Sequence, residues 1–176
     1  MRIRLAETAG FCFGVERAVA LAGQTARTCK NAVTLGPIIH NRHVVERFEA
    51  LGLREISAAD EAQPGQTVVI RAHGIPAGEQ KALAARGAAM VDATCPFVKK
   101  IHVIAQKAER EGRSLLIIGT PTHPEIIAIA SFSSDAHVFQ TAEALETWLT
   151  ECPERRDLPF CLVSQTTGTQ KLWESC

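Results

Sequence analysis

The residues of this chain best suited to chemistry recur in one setting: a short apolar run ends in a small or glycine-containing turn that carries a reactive side chain. Ile3-Arg-Leu5 leads to Gly10-Phe-Cys12-Phe-Gly14, Val33-Thr-Leu35 to Gly36-Pro-Ile-Ile-His40-Asn41, and Val68-Val-Ile-Arg71 to Ala72-His73-Gly74. Met90-Val91 leads to Asp92-Ala-Thr-Cys95-Pro96, Leu116-Ile-Ile-Gly119 to Thr-Pro-Thr-His123-Pro-Glu125, and Leu162-Val163 to Ser164-Gln165-Thr166-Thr167. Thiols, imidazoles, a carboxyl and a hydroxyl in such turns can ligate a soft metal or a metal–sulfur centre. They can equally move protons or donate hydrogen bonds to an anion.

Each of these side chains also has an ordinary structural use. Free cysteine is often only a small buried hydrophobe, and that reading is taken for Cys29, Cys152 and Cys161. Cys12 and Cys95 differ because they stand between small residues in turns, where a thiol is presented rather than packed; packing and ligation both stay open for them. A histidine at a strand end can be a turn residue with a satisfied hydrogen bond, but His40, His73 and His123 occupy equivalent places in successive units. His43, His102 and His137 lack that placement and are expected on helix surfaces or in strands. Glu125 can be read as a first-turn carboxylate favoured by the helix dipole, and Thr166 as an N-cap.

The elements that must position these turns follow from periodicity. Strands are predicted at Ile3–Leu5, Ala32–Leu35, Thr67–Arg71, Ala89–Val91, Ser114–Ile118, His137–Phe139 and Phe160–Val163. Helices are predicted near Val15–Thr28, Val44–Leu51, Gly78–Ala85, Val98–Arg110, Ile126–Ser131 and Ala142–Glu151, with Gly87, Gly112 and Pro153 placed to end them. This alternation predicts α/β units with mainly parallel sheet. Runs such as Val68-Val69-Ile70 and Leu115-Leu116-Ile117-Ile118 predict sheets covered on both faces. The domain break is expected at Cys95-Pro96, giving a unit over residues 1–95 and another over residues 96–176. Ligands of open α/β sheets bind outside the carboxyl ends of the strands. Cys12, Cys95, His40, His73, His123, Glu125 and Thr166 are therefore expected on one side of the molecule, beside helix N-termini that favour an anion.

Composition narrows the function classes. With 176 residues, 46% hydrophobic and 22% charged, the chain is neither disordered, collagen-like nor a coiled coil. Nineteen basic and nineteen acidic residues give a formal net charge of zero, so no global field recruits nucleic acid or an anionic membrane. No apolar run reaches the roughly 18 residues of a membrane span, and the first residues lack a signal-peptide core. The expectation is a cytoplasmic protein whose six cysteines are thiols or ligands rather than disulfides. Spacing removes several chemistries: no C-x-x-C pair, no dinucleotide fingerprint and no G-x-x-x-x-G-K-[ST] loop occurs. Cys12 and Arg17 are separated by four residues, one short of a C-x5-R phosphatase loop. A Cys/His metal hydrolase stays open. The residues by themselves lead to an α/β protein with an anion pocket lined by Cys, His, Glu and Thr.

At these residues the sequence resembles the 4-hydroxy-3-methylbut-2-enyl diphosphate reductase (IspH/LytB) family. The resemblance rests on Gly10-Phe-Cys12-Phe-Gly14-Val15-Glu-Arg17-Ala18, Ile39-His40-Asn41-Arg42-His-Val-Val45, Ala72-His73-Gly74, Asp92-Ala-Thr-Cys95-Pro96, His123-Pro-Glu125 and Ser164-Gln-Thr166-Thr167. It implies the reductive removal of a hydroxyl from an allylic diphosphate, giving isopentenyl and dimethylallyl diphosphates in the non-mevalonate isoprenoid pathway. It implies an oxygen-sensitive [4Fe–4S] cluster held by three cysteines, the first two matching Cys12 and Cys95. One iron, free of protein ligands, would act as a Lewis acid toward the hydroxyl, and electrons would arrive from a ferredoxin or flavodoxin. Glu125 then corresponds to the proton source, with Thr166 in its network, and His40, His73 and His123 to residues around the substrate diphosphate.

The family has three α/β units, of which this sequence covers the first two. The third unit, with its cluster cysteine and the Ser/Asn segment that holds the diphosphate, has no counterpart here. Cys176 comes too soon after the Gln-Thr-Thr segment to be the third ligand. The chain is accordingly expected to be an incomplete form of a longer reductase. The alternative is a non-catalytic diphosphate-binding or interaction module that kept the fold without a complete cluster.

Overall fold

The computed structural model describes residues 2–176. Its elements run α1 (Phe13–Thr28), β1 (Ala32–Leu35), α2 (Arg42–Ala50), β2 (Arg54–Ile56), β3 (Thr67–Ile70), α3 (Ala77–Ala85), β4 (Ala89–Asp92) and α4 (Pro96–Arg110). Then follow β5 (Ser114–Ile118), α5 (Pro124–Ala130), β6 (Ala136–Phe139), α6 (Ala142–Glu151), β7 (Phe160–Ser164) and α7 (Gln170–Ser175), with 3₁₀ turns at Ala59–Glu61 and Pro153–Asp157. The strands form a four-stranded sheet ordered β2-β1-β3-β4 and a three-stranded sheet ordered β6-β5-β7. Every strand pairing among the described residues is parallel.

Burial explains why these runs are strands. β1 and β5 lie inside their sheets and are buried along their whole length. In the first sheet Val69 packs with Ala18 and Ala22 of α1 and Phe48 of α2. Its neighbours Val68 and Ile70 face the opposite layer, with Leu83 of α3 and Ala59 and Ala62. The second sheet repeats the scheme: Leu115 and Ile117 meet Ala105, Ala108, Ile126 and Ile129 of α4 and α5. Leu116 and Ile118 meet Phe139 and Leu145, with Trp148 and Leu149 packed against them. Successive strand side chains point to opposite faces, so a continuous apolar run fits a sheet sandwiched between helices. Gly87 and Gly112 follow α3 and α4 with φ of +70° and +64° and close them, as their positions predict.

Three expectations need correction. Ile3–Leu5 is not a strand: Ile3 and Leu5 are 82% and 86% exposed, and no strand among the described residues pairs with them. An alternating tripeptide has no sheet propensity worth the name without a partner ladder. β2 was absent from the predicted set because two of its three residues are exposed and charged; it adds to β1 as an edge. His102 belongs to α4 as expected but is 6% exposed, so it is a buried residue and not a helix-surface one.

Candidate functional site

The strand order supplies the site. In the first sheet the chain moves outward from β1 to β2, then crosses back to β3, so the direction of winding reverses between β1 and β3. In the second it reverses between β5 and β7. The turns leaving strands on either side of such a reversal diverge and leave a crevice beyond the strands' carboxyl ends. His40 follows β1, His73 follows β3, His123 follows β5 and Thr166 follows β7. The two crevices therefore hold these candidates in pairs.

The three imidazoles converge. Ring centroids of His40 and His73 are 4.7 Å apart, those of His73 and His123 5.3 Å, and those of His40 and His123 6.4 Å. One ring nitrogen from each lies within 4.8 Å of the others. Burial pushes His73 down to a pKa of about 4, helped by the nearby His40, His123 and Arg71. At neutral pH it is an uncharged ring, and its buried Nδ1 has no hydrogen-bond partner. His123 is the N-cap of α5: its Nδ1 accepts from the Glu125 backbone N–H at 3.2 Å. A neutral imidazole accepting at Nδ1 carries its proton on Nε2, so the far side of His123 is a donor. That tautomer suits an anion. A metal at Nε2 would require the proton to sit on Nδ1, against the Glu125 N–H.

Beside the rings, Glu125 is 1% exposed in the first turn of α5. Its Oε1 accepts from the Thr166 backbone N–H at 2.6 Å, and the Thr166 hydroxyl donates to Oε2 at 2.8 Å. Thr166 is thus not an N-cap; that place on α7 belongs to Thr169, whose side chain accepts from Leu172 N–H. The pair ties the turn after β5 to the turn after β7. Gln165 reinforces the same link, its side chain accepting from Thr120 N–H at 3.1 Å. α2 begins similarly: Asn41 caps it by accepting from Val44 N–H, which fixes the turn that carries His40.

Cys12 and Cys95 are the N-caps of α1 and α4, and neither thiol is spent on a cap hydrogen bond. Cys12 is exposed and Cys95 half-buried. Cys95 lies over Gly14, two residues beyond Cys12 in the chain, where an added Cβ would lie 2.5 Å from Cys95 Sγ. Arg17 holds the junction: its guanidinium donates to the carbonyls of Thr94 and Asp92 at 3.0 and 3.2 Å. Two unpartnered thiols at two helix N-termini, with a cradle that a side chain would fill, fit a soft anionic metal–sulfur group. Cys29, Cys161 and Cys176 pack instead against apolar clusters.

The sequence assigned no role in the site to Arg17, Arg71 or His102. Arg71 donates from Nε to Gly74 carbonyl at 3.2 Å and its Nη1 occupies the space over Gly36, bracing the turns that present His73 and His40. The signal available was the glycines themselves: Gly36 and Gly74 have φ of +69° and +73°, and each marks a close approach by another side chain. An open hollow of about 540 Å³ lies alongside His40; Arg42 in its lining is paired with Glu46, which leaves Glu49 as an unfavourable neighbour for an anion.

The family profile described as LytB protein matches residues 3–176. A 4-hydroxy-3-methylbut-2-enyl diphosphate reductase of Solidesulfovibrio magneticus is 43% identical over 97% of this chain and 61% of its own length. One of Clostridioides difficile is 35% identical over 99% of this chain and 62% of its own. A solved (E)-4-hydroxy-3-methyl-but-2-enyl diphosphate reductase, described as the terminal enzyme of the non-mevalonate pathway, superposes with a TM-score of 0.79. It is 36% identical, over 98% of this chain and 60% of that one. The corresponding Plasmodium falciparum reductase, at 24% identity and a TM-score of 0.81, shares the fold. The chain thus spans about three-fifths of the length of the curated relatives it matches.

Proposed function

Because the chain belongs to the LytB family, we propose that it provides the diphosphate-binding and proton-donating part of a cytoplasmic 4-hydroxy-3-methylbut-2-enyl diphosphate reductase. The overall change consumes two electrons and two protons, breaks the allylic carbon–oxygen bond and releases water. Isopentenyl and dimethylallyl diphosphates are the products. The observation that carries this reading is the convergence of His40, His73 and His123 beside the Glu125–Thr166 pair.

Imidazoles and helix N-termini can surround a diphosphate without a fixed excess of charge. The His123 Nε2–H points its donor away from α5, where a phosphoryl oxygen can accept it. Loss of hydroxide from carbon needs a proton on the departing oxygen, and Glu125, two residues after His123 and buried against Thr166, is the acid suited to supply it. Thr166 fixes both carboxyl oxygens and relays the proton supply through its hydroxyl. Cys12 and Cys95 would supply two of the three ligands of a [4Fe–4S] cluster, which when bound supplies the electrons and a Lewis-acidic iron. A ferredoxin or flavodoxin would reduce it.

Isothermal titration with inorganic pyrophosphate under anaerobic conditions tests the anion site directly. Binding that is lost in His40→Ala and His123→Ala supports the reading. Binding of zinc with hydrolysis, and none of pyrophosphate, would replace it with a metal hydrolase. Pyrophosphate binding with no iron retained after anaerobic reconstitution would favour the non-catalytic module.

A further inference from the structure

Two contacts on one face of α4 dock it into the first unit. Its N-cap Cys95 and its residue His102 stand seven positions apart, close to two helical turns. Cys95 Sγ fills the space over Gly14. His102 fills the space over Gly74 in the same way: a Cβ there would lie 2.5 Å from the ring's Cε1 and 3.3 Å from Nε2. Gly74 is the neighbour of His73 and, at φ +73°, the residue on which that turn pivots.

The imidazole is wedged from both sides. Phe132 backs it at a centroid distance of 4.7 Å and an interplanar angle of 40°. Gly74 faces it, held by its own N–H to the Arg71 carbonyl at 3.0 Å and by its carbonyl to Arg71 Nε at 3.2 Å. Yet the buried Nε2 of His102 has no hydrogen-bond partner. A buried nitrogen left unpaired is a net cost to the fold, so hydrogen bonding does not account for this ring. Its flat edge does, because it fits a gap that exists only opposite a glycine.

We infer that His102 is a positioning residue for the anion site: its ring, wedged between Phe132 and Gly74, sets the 71–75 turn and through it the His73 imidazole. The inference rests on the reading of the three rings as an anion site, and extends it to a side chain that belongs to the other unit. No contact between His102 and the anion is required. Removing the ring lets the turn relax into the space left behind, and His73 no longer meets His40 and His123 at the distances above.

The test compares the whole chain with His102→Ala, His102→Gln and Phe132→Leu, using pyrophosphate affinity at pH 7.5 and amide hydrogen exchange at His73 and Gly74. His102→Ala should weaken pyrophosphate binding by about tenfold, the scale of one charge-assisted hydrogen bond, and speed exchange in the 71–75 turn. His102→Gln, which keeps a flat group of similar reach, should recover most of both. Phe132→Leu, which loosens the ring from behind without entering the site, should move both in the same direction by less, and it decides the matter should His102→Ala not fold. Leu145→Ala in the distant α6 core controls for loss of stability alone: it should lower the melting temperature and leave affinity unchanged. Unaltered affinity and turn exchange in folded His102→Ala or Phe132→Leu would reduce His102 to a packing residue and overturn the inference. If the unsubstituted chain does not bind pyrophosphate, the anion-site reading fails by itself, and the exchange rates still show whether His102 sets the turn.

Discussion

A carboxyl group that is 1% exposed survives in this fold because Thr166 answers both of its oxygens. Thr166→Val keeps the shape and the backbone N–H bond but leaves Glu125 Oε2 unpaired in the interior. It should cost about 1–3 kcal/mol, read from the urea midpoint. Glu125→Gln preserves an acceptor for the Thr166 N–H while removing the acid. In the reductase it should retain iron and sulfide content and abolish turnover; loss of iron instead would make Glu125 structural. These side chains were legible as candidates because polar, reactive types recur in the same place, the turn after an apolar strand. His102 was not, because nothing in Ile-His-Val marks the helix position as buried: burial came from Gly74, some thirty residues upstream. Arg17 was unreadable for the same reason, since it donates to backbone carbonyls that only the tertiary fold brings near; Arg71 reaches a carbonyl three residues on, but its place over Gly36 is likewise set by the tertiary fold.

Among the elements, those with a continuous apolar run or a strong helical period were read nearly to the residue, because local pattern and tertiary burial agree there. Ile3–Leu5 and β2 failed in opposite directions, one patterned without a partner, the other paired without a pattern. The junction of α1 and α4 shows what geometry adds. Gly14 sits in the first turn of α1, where alanine would favour the helix by up to about 1 kcal/mol. A methyl group there meets Cys95 Sγ at 2.5 Å and Cys95 Cβ at 3.1 Å, and rotating the thiol relieves only the first of these. Gly14→Ala should therefore push the two helix N-termini apart, lowering the melting temperature despite the better propensity. It should also reduce iron uptake on anaerobic reconstitution, measured as iron per chain. A more stable variant with full iron uptake would show that the cradle is slack. At α2, Asn41→Ala removes the cap of the helix behind His40 and should cost about 1 kcal/mol in chemical denaturation.

At the scale of the molecule, the half-buried His73 and the buried His102 give the fold an acid limit. Burial, as the leading cause, lowers both His73 and His102 from 6.5 to about 4. The groups facing His102 include Asp92, which pulls the other way, and Lys99, which adds to the lowering. The unfolded chain takes up protons below pH 6.5 that the folded chain refuses until about pH 4. Stability contributed by these rings is thus complete above pH 6.5 and falls progressively as the pH drops toward 4. Urea midpoints should decrease steadily across that window, and a flat profile from 6.5 to 5 would show that the rings are not buried as described. Below it, Asp92 joins in: burial would raise its pKa, but hydrogen bonds from Lys99 and Thr94 outweigh that and hold it low.

The passage from one sheet to the next has a further consequence. Only Ala93, Thr94 and Cys95 separate β4 from α4; Ala93 is fully buried, Thr94 is 5% exposed, and Arg17 grips the carbonyls on either side of Ala93. A protease needs an extended, accessible stretch of chain, and this crossing offers none. Limited digestion should therefore nick exposed loops elsewhere and never part the chain at the crossing into two sheet-sized halves. What joins the halves is an internal piece of the folded body, so they would be released, degraded or preserved together.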